Sequence, residues 1–469
     1  MKSSPSLAFP FKAASLAIVA ATLAACGSMA PDYQRPAAPV PAQFPAAAGT
    51  AGAAAADTPW QDFFADERLQ KLIRIALENN RDLRVALLNV EQARATVDVR
   101  KADRWPTVNA GLSLTRGTTT TGAVTSSYSA GLLVTSYEVD LFDRLRSQSD
   151  AAFAQYLAST EAGKAAQISL VGAVANAYFA LQADTALLEL SQQTTKTREE
   201  SFKLTRLRFD NGASSQLDLS QAQSLLEAAR VSLAQTTRQR MLDENALNLL
   251  LGQAAPSELV AGSAQLTTPL PELPTGVPSE VLLRRPDVVQ AEQLLLAANA
   301  NIGAARAAFF PKILLTASAG SVSSELQDLF KDGTFAWSFV PQLLLPIFDA
   351  GRNEANLTVA KTARDIAVAQ YEKAIQSAFR EVADALAGRA TLGDQLKSQQ
   401  AQTLAETERT RLTELRYKNG ASSYLEVLDA QRSLFASQQA ELQLRLQVLQ
   451  NQATLYRVLG GGWSAAAKS

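Results

Sequence analysis

The 469-residue chain contains no histidine and a single cysteine, Cys26. Without histidine it lacks the commonest general base and the commonest metal ligand, and one cysteine permits neither an internal disulfide nor a thiolate cluster. Its 44 basic and 45 acidic residues nearly cancel, so its charge gives no reason to expect a nucleic-acid partner. These absences predict a protein with no enzymatic activity, no metal site and no bound cofactor.

Two long stretches of the chain contain no proline: residues 107–255 and the residues after Pro346. Such gaps permit very long helices, and we expect two, from Asp143 to Asn211 and from Asp349 to Asn419. At about 1.5 Å per residue, each would extend on the order of 100 Å. Soluble globular helices average about three turns, so helices of this length are typical of coiled-coil walls or spacers.

The chain is a tandem duplication. The sixteen residues from Leu204 to Leu219 return from Leu412 to Val427 with ten identities. One half is therefore a complete structural unit that is used twice. The predicted organisation is a first repeat (59–255), an inter-repeat segment (256–280), a second repeat (281–460) and a C-terminal tail (461–469).

Each long helix is expected to end at a repeated turn. Asn211-Gly212 and Asn419-Gly420 supply the left-handed residue that ends a helix, and Ser215-x-x-Asp218 and Ser423-x-x-Glu426 are capping boxes that start the next helix. One such turn is ordinary chemistry, but two copies at the ends of long arms favour contact with a partner protein. The predicted contact residues at the two tips, near 212 and 420, are Asn211, Gly212, Ala213, Ser214, Asn419, Gly420, Ala421 and Ser422.

Four segments alternate apolar and polar residues with a period of two, which predicts β-strands. They lie at about residues 107–116, 127–139, 312–320 and 335–345. This alternation over about ten residues is the weak signature of a transmembrane β-barrel, although a half-buried soluble sheet would show it too. Four strands cannot close a barrel, and open sheet edges are not tolerated in lipid. A spanning chain would therefore be a dimer, trimer or tetramer with about 8, 12 or 16 strands.

The N-terminal residues have the pattern of a secretory signal. An apolar segment, Ala13–Ala25, is too short to cross a bilayer as a helix, and it ends in Leu23-Ala24-Ala25-Cys26-Gly27, which is similar to a bacterial lipobox. We expect residues 1–25 to be removed and a diacylglycerol and an N-acyl chain to be attached to Cys26. The alternative is cleavage at an ordinary A-x-A-like site. Residues 26–58 are rich in proline and alanine and predict an extended, lipidated tether.

Several longer motifs carry a resemblance to a known family. They are the run from Trp60 to Leu83 (Trp60…Phe64-x-Asp66-x-x-Leu69…Asn80-x-Asp82-Leu83), Leu283-Arg284-Arg285-Pro286-Asp287-Val288, Phe310-Pro311, Pro346-Ile347-Phe348-Asp349-x-Gly351, and Leu428-Asp429-Ala430-Gln431-Arg432. With these motifs, the lipobox and the duplication, nearly the whole mature chain resembles the TolC-like outer-membrane efflux channels. The resemblance is to the NodT-type lipoprotein branch that serves resistance-nodulation-division pumps.

The resemblance implies a mainly α-helical α+β protomer in a homotrimeric channel. Four strands per chain would form a 12-stranded pore in the outer-membrane lipid, the long helices would form a barrel across the periplasm, and residues 256–280 would lie in an equatorial belt. The channel would be a passive export duct for small molecules such as drugs. Its partners would be a periplasmic adaptor, or membrane fusion, protein and an inner-membrane resistance-nodulation-division pump.

The resemblance also implies a periplasmic gate at the hairpin tips. In the second repeat the matching residues are Arg416, Tyr417, Leu425 and Asp429, and the first repeat has Leu217 and Gln221 at the positions of Leu425 and Asp429. Asp429 would lie at the constriction, Arg416 and Tyr417 would hold the tip helices closed, and the leucine would add an apolar ring. The alternative is that these charged residues are simply solvated on helix faces.

Two other classes of function are weighed beside the channel. A periplasmic adaptor lipoprotein also has a signal and a long hairpin, but it would need one hairpin per chain instead of a duplicated one with strand pairs. A secreted hydrolase could use Ser214 or a carboxylate pair, but nothing in the sequence supplies an activating base. The sequence does not indicate which substrate is exported.

Overall fold

The computed structural model describes residues 28–44, 58–260, 270–271 and 279–462. The chain divides into two compact units, here called the strand unit and the hairpin unit. The strand unit consists of Met1–Ala37, Asn89–Thr160 and Gln290–Glu372, and the hairpin unit consists of Ala38–Leu88, Glu161–Val289 and Lys373–Ser469. The predicted signal peptide and Cys26 lie outside the described residues.

Most of the described chain is helical, and the mainly α-helical α+β class is confirmed. The helices of the first repeat are α1 (Trp60–Phe63), α2 (Glu67–Asn79), α3 (Arg81–Ala102), α4 (Arg144–Asp210) and α5 (Gln216–Leu251). The helices that follow are α6 (Ser257–Val260), α7 (Pro286–Ala307), α8 (Arg352–Lys418) and α9 (Tyr424–Val458), with short 3-10 turns at Ser279–Arg284 and Leu326–Asp328.

The two expected long helices are present as α4 and α8, each of 67 residues. Both end where the sequence predicts, because Gly212 and Gly420 adopt positive φ angles of 73° and 74° that only glycine takes without strain. Both predicted capping boxes are formed: the Ser215 and Ser423 side chains accept hydrogen bonds from the backbone three residues on. The repeated turn therefore makes two helical hairpins, α4–α5 and α8–α9.

The duplication is visible in a pair of equivalent contacts within the hairpin unit. Asn80, just before α3, donates a side-chain hydrogen bond of 2.9 Å to the carbonyl of Leu250 at the end of α5. Arg285, just before α7, donates one of 2.9 Å to the carbonyl of Val458 at the end of α9. Each contact satisfies a carbonyl that the helix end leaves without an intrahelical partner. Both repeats thus join the start of a short helix to the end of the second hairpin helix.

The contact made by Arg285 is more extensive than the one made by Asn80. The Arg285 side chain is 8% exposed and forms ion pairs with Asp287 at 2.7 Å and with Glu381 of α8 at 2.9 Å. A buried guanidinium is tolerated only when its donors are satisfied in this way. The Leu283–Val288 motif noted in the sequence therefore has a structural role, because its arginine connects α7, α8 and α9.

The strand unit contains one antiparallel sheet with the strand order β1-β2-β3-β4. The strands are β1 (Val108–Thr118), β2 (Val124–Val139), β3 (Lys312–Ser323) and β4 (Phe335–Leu344). Neighbouring strands are paired in sequence order, and the two repeats meet where β2 pairs with β3, with Gly131 opposite Gly320. A Cβ on Gly320 would lie 2.2 Å from the Ala130 carbonyl oxygen, so this close approach of the strands requires glycine.

Among the residues that the structure describes, no helix is both long enough and apolar enough to cross a bilayer.

Candidate functional site

The sheet sorts its side chains by polarity. The register pairs Leu112 with Ala130, Leu132 with Ala319 and Ala319 with Trp337, so these apolar residues share one face. The opposite face pairs Ser113 with Ser129 and Ser318 with Ser338, whose hydroxyls hydrogen-bond at 2.7 and 2.8 Å. A continuous apolar face opposite a hydroxyl-rich face is the pattern of strands that separate lipid from water.

The apolar face and the sheet edges are uncovered in the single chain. Leu112, Trp337 and Phe339 are 72%, 71% and 57% exposed. In the described ranges, the outer edges of β1 and β4 have no strand paired to them. Exposed apolar surface of this kind marks an interaction with a membrane or another protein, and unpaired edges are templates for pairing with another chain.

The hairpin tips present mostly exposed residues. Of the predicted contact residues, Ser214 and Ser422 are half-buried and the others are exposed. Asn211 and Asn419 have the same local role, because each donates a side-chain hydrogen bond to the carbonyl four residues earlier, at 2.7 and 2.8 Å. The tips are therefore turns that local hydrogen bonds hold in the same conformation, with most of their outer surface exposed.

Hydrogen bonds between side chains connect the two hairpins near their tips. Arg208 of α4 donates a 2.6 Å hydrogen bond to the hydroxyl of Tyr417 in α8, and its guanidinium carbon lies 5.5 Å from the centre of the tyrosine ring. About two turns further from the tip along α4, Ser201 hydrogen-bonds to the hydroxyl of Tyr424 in α9 at 2.8 Å. We call these four side chains the tip clasp, since they hold α4 to the second hairpin.

The predicted gate residues do not form a single cluster in the chain. Tyr417 belongs to the tip clasp, but Arg416 hydrogen-bonds to its own turn, at the Ala421 carbonyl, with a distance of 3.1 Å. Asp429 is paired with Arg409 at 2.8 Å, across the hairpin from α9 to α8. Leu217 and Leu425 are 66% and 55% exposed, and Gln221 is half-buried.

Arg409 was missed in the sequence. Its counterpart in the first repeat, 208 positions earlier, is Ser201, so the duplication did not draw attention to it. The available signal was the hairpin itself, because Arg409 and Asp429 stand at nearly equal distances on either side of Gly420. Opposite charges at such positions on antiparallel helices are expected to face each other.

A second missed contact lies further from the tips. Arg198 of α4 is 6% exposed and donates a hydrogen bond to the Gln431 amide oxygen, and Gln431 donates to Glu414 at 2.7 Å. Burial lowers the pKa of the Arg198 guanidinium. The amide of Gln431 thus lies between the Arg198 guanidinium of the first hairpin and the Glu414 carboxylate of the second. These hydrogen bonds add a further connection between the two hairpins.

The first hairpin also contains a pair of carboxyl groups. Burial, together with a hydrogen bond to Asp243 of α5 and the charge of that residue, raises the pKa of Asp184 in α4 to about 7. The unfolded chain loses the equivalent proton near pH 4. Between these values the folded chain binds more protons, so its stability falls as the pH rises through this window.

We therefore expect Asp184→Asn to raise the melting temperature, and by more at pH 8 than at pH 5, because the amide has no proton to lose. Thermal melting followed by circular dichroism at both values tests this. Asp150→Asn, which removes an exposed carboxyl group from the same helix, is the matched control. An equal gain at the two pH values would contradict the assignment.

No group of three or more acidic, histidine or cysteine residues that could hold a metal ion is found within the described part of the chain.

Comparisons with known proteins agree with this geometry. A family profile described as outer membrane efflux protein matches residues 72–253 and 277–461, one match in each repeat. The probable efflux pump outer membrane protein TtgC of Pseudomonas putida is 48% identical over 461 residues, which cover 96% of this chain and 95% of that protein. Outer membrane protein OprJ of Pseudomonas aeruginosa is 45% identical over 455 residues, with 95% of each chain covered.

Solved structures give the same result. The crystal structure of the open state of the Neisseria gonorrhoeae MtrE outer membrane channel is 42% identical and superposes with a TM-score of 0.85, covering 93% of this chain and 99% of that one. The Campylobacter jejuni CmeC outer membrane channel is 25% identical with a TM-score of 0.86, covering 94% and 96%. Both repeats, the sheet and the hairpins are included in these matches, so the chain belongs to the outer membrane efflux protein family and is the outer-membrane channel component of a tripartite efflux system.

Proposed function

We propose that three copies of the chain close into one transmembrane barrel that serves as a passive export duct. The observation that carries this proposal is the sheet, with an apolar face on one side, hydroxyl-rich residues on the other, and outer edges at β1 and β4 to which no described strand is paired. Lipid does not tolerate open edges. Because the sheet has an even number of antiparallel strands, β4 of one copy can pair antiparallel with β1 of the next.

The oligomeric state tests this closure. The mature protein in mild detergent is expected to have three times the chain mass, measured by native mass spectrometry or light scattering. In such a trimer the hydroxyl-rich face would line a water-filled lumen of about 12 strands. A stable monomer with its sheet intact would contradict the closure.

We further propose that the duct performs no chemistry and draws its energy from an inner-membrane resistance-nodulation-division pump, joined through a periplasmic adaptor at the hairpin tips. The tip turns, Asn211–Ser214 and Asn419–Ser422, are mostly exposed and are held by matching local hydrogen bonds, which supports an adaptor contact. Relatives are named as a toluene efflux pump protein and an antibiotic efflux pump protein, both of Pseudomonas putida. Small organic molecules of these kinds are therefore the proposed cargo.

The gate is proposed at the same end of the hairpins. The tip clasp and the pair formed by Arg409 and Asp429 hold the helices of the tip together, and three copies around one axis would bring three Asp429 carboxylates near the lumen. A ring of carboxylates favours cations in a pore. Opening would require α8 and α9 to move away from α4, which breaks the tip clasp.

We also propose that Cys26 carries the lipid anchor suggested by the lipobox. Because no other thiol exists in the chain, Cys26→Ser is expected to abolish incorporation of labelled palmitate. Pore formation should persist, since the barrel inserts by itself and an acyl anchor only supplements it. Normal labelling of the variant would refute lipidation at this site.

A further inference from the structure

Residues Met29–Arg35, here called the strap, run along α7 within the strand unit. Arg306 donates a 3.1 Å hydrogen bond to the carbonyl of Met29, and Asn299 donates one of 2.7 Å to the carbonyl of Pro31. Arg35 forms its ion pair with Glu292. The partners descend from 306 to 292 while the strap ascends from 29 to 35, so the strap lies antiparallel to the helix.

The strap is only just long enough to span its contacts along α7. The fourteen helical positions between Glu292 and Arg306 correspond to about 21 Å. The six residue steps from Met29 to Arg35 cover at most about 20 Å, the length of a fully extended chain. A docked strap therefore places each of its residues at a fixed level along α7, which a looser tether would not do.

Glu292 gives the docking its strength. Its side chain is 9% exposed and accepts two hydrogen bonds from Arg35, at 2.6 and 2.8 Å. The Tyr33 hydroxyl donates a third, at 2.9 Å. Displacing the strap would remove all three of these hydrogen bonds and the ion pair from the carboxylate at once.

The other end of α7 is shaped for the strap as well. A Cβ on Gly303 would lie 2.7 Å from the Ala30 nitrogen and 2.7 Å from the Ser147 hydroxyl. Glycine at this position therefore lets the strap backbone lie directly against the helix. Contacts at Glu292, Asn299, Gly303 and Arg306 recur every three to seven residues, so they form one face of α7.

We propose that this face of α7 is a dedicated docking site for the chain's own N-terminal strap. It fixes Met29 and Ala30 beside the end of α7, where Ala307 precedes β3 by a few residues, whether or not a lipid is attached. Three residues separate Cys26 from Met29 in the sequence, and a chain of that length spans at most about 10 Å. If Cys26 is lipidated, as proposed above, the acyl chains are delivered to the rim of the barrel by the strap.

Chymotrypsin tests the docking, because it cleaves after Tyr33 and needs that side chain released from Glu292. Arg35→Met is expected to accelerate cleavage at Tyr33 at least about tenfold, since it leaves the buried carboxylate without its cation. Gln34→Met, at the exposed neighbouring position, is the matched control and should be cleaved at the wild-type rate. The release of the N-terminal peptide is followed by mass spectrometry while gel filtration confirms that the oligomer is unchanged.

Two further variants separate the strap from the lipid and from general damage. Gly303→Ala should also accelerate cleavage, because the added methyl pushes Ala30 away. Cys26→Ser, exported with an ordinary signal sequence, should remain as resistant as the wild type. The inference is overturned if Arg35→Met is cleaved no faster than Gln34→Met, or if Cys26→Ser is cleaved as fast as Arg35→Met, which would mean that the lipid holds the segment.

Discussion

The combined substitution of Tyr417→Phe and Asp429→Ala is expected to raise single-channel conductance in planar bilayers, on the order of twofold or more, and to admit large antibiotics such as vancomycin into cells. Phenylalanine removes the hydroxyl that accepts from Arg208, and alanine removes the partner that Arg409 has on α9, leaving only its pair with Glu406 on α8. The first change loosens the contact between the two hairpins, and the second loosens the contact between α8 and α9.

Each change alone should do less. Arg409 and Asp429 are about half exposed, at 46% and 53%, and exposed pairs contribute little individually. In the proposed trimer each contact occurs three times around one axis, so removing both kinds weakens six contacts together. The effect of the double variant should therefore exceed the sum of the single changes.

A matched control is available next to Arg409 on the same helix. Arg411 and Glu408 form a similarly exposed pair at 2.7 Å, but both lie on α8 and join no two elements. Glu408→Ala should leave conductance and vancomycin sensitivity unchanged. If the double variant assembles correctly and conducts as the wild type does, the gate lies elsewhere, and the exposed leucines Leu217 and Leu425 become the remaining candidates.

The second large effect is expected from two neighbouring positions in β1. Leu112→Arg places a charge on the apolar face and should prevent stable insertion, because each arginine that faces lipid near the midplane costs about 2–4 kcal/mol. Ser113→Arg places the same charge on the opposite face. That variant should insert as a trimer and shift ion preference from cations towards anions.

Heat-modifiable mobility and bilayer insertion measure the first outcome, and reversal potentials in a salt gradient measure the second. The two substitutions add the same side chain at adjacent residues of one strand, so only the facing differs. Insertion of the Leu112 variant together with failure of the Ser113 variant would mean that the two faces of the sheet have been assigned the wrong way round.

Local signals predicted the hairpins well. The left-handed glycines, the capping boxes and the proline-free stretches act through neighbouring residues. The glycine turns, the capping boxes and the long helices that they predict are all present. The alternation of the strands likewise requires only a period of two, and the register places the predicted apolar positions together. The sequence could not decide between dimer, trimer and tetramer, because the residues of an edge strand do not specify how many subunits close the barrel.

Contacts between distant residues were beyond the sequence for a physical reason. Arg198 and Gln431 are separated by 233 positions, and their meeting depends on the rotation of α4 and α9 about their own axes. Composition does not encode that rotation when the helix faces carry many small residues. The strap was expected only as part of an extended tether, since proline and alanine give no sign of the Glu292 site on a helix more than 250 positions later.

Conductance of the purified protein in a planar bilayer tests the central claim most directly. A trimer with a closed barrel should produce discrete, long-lived current steps of uniform size, with a preference for cations that Ser113→Arg reduces. Trimers that are shown to be inserted but carry no current, with either the wild-type tips or the Tyr417→Phe and Asp429→Ala tips, would contradict the account of the chain as an export duct.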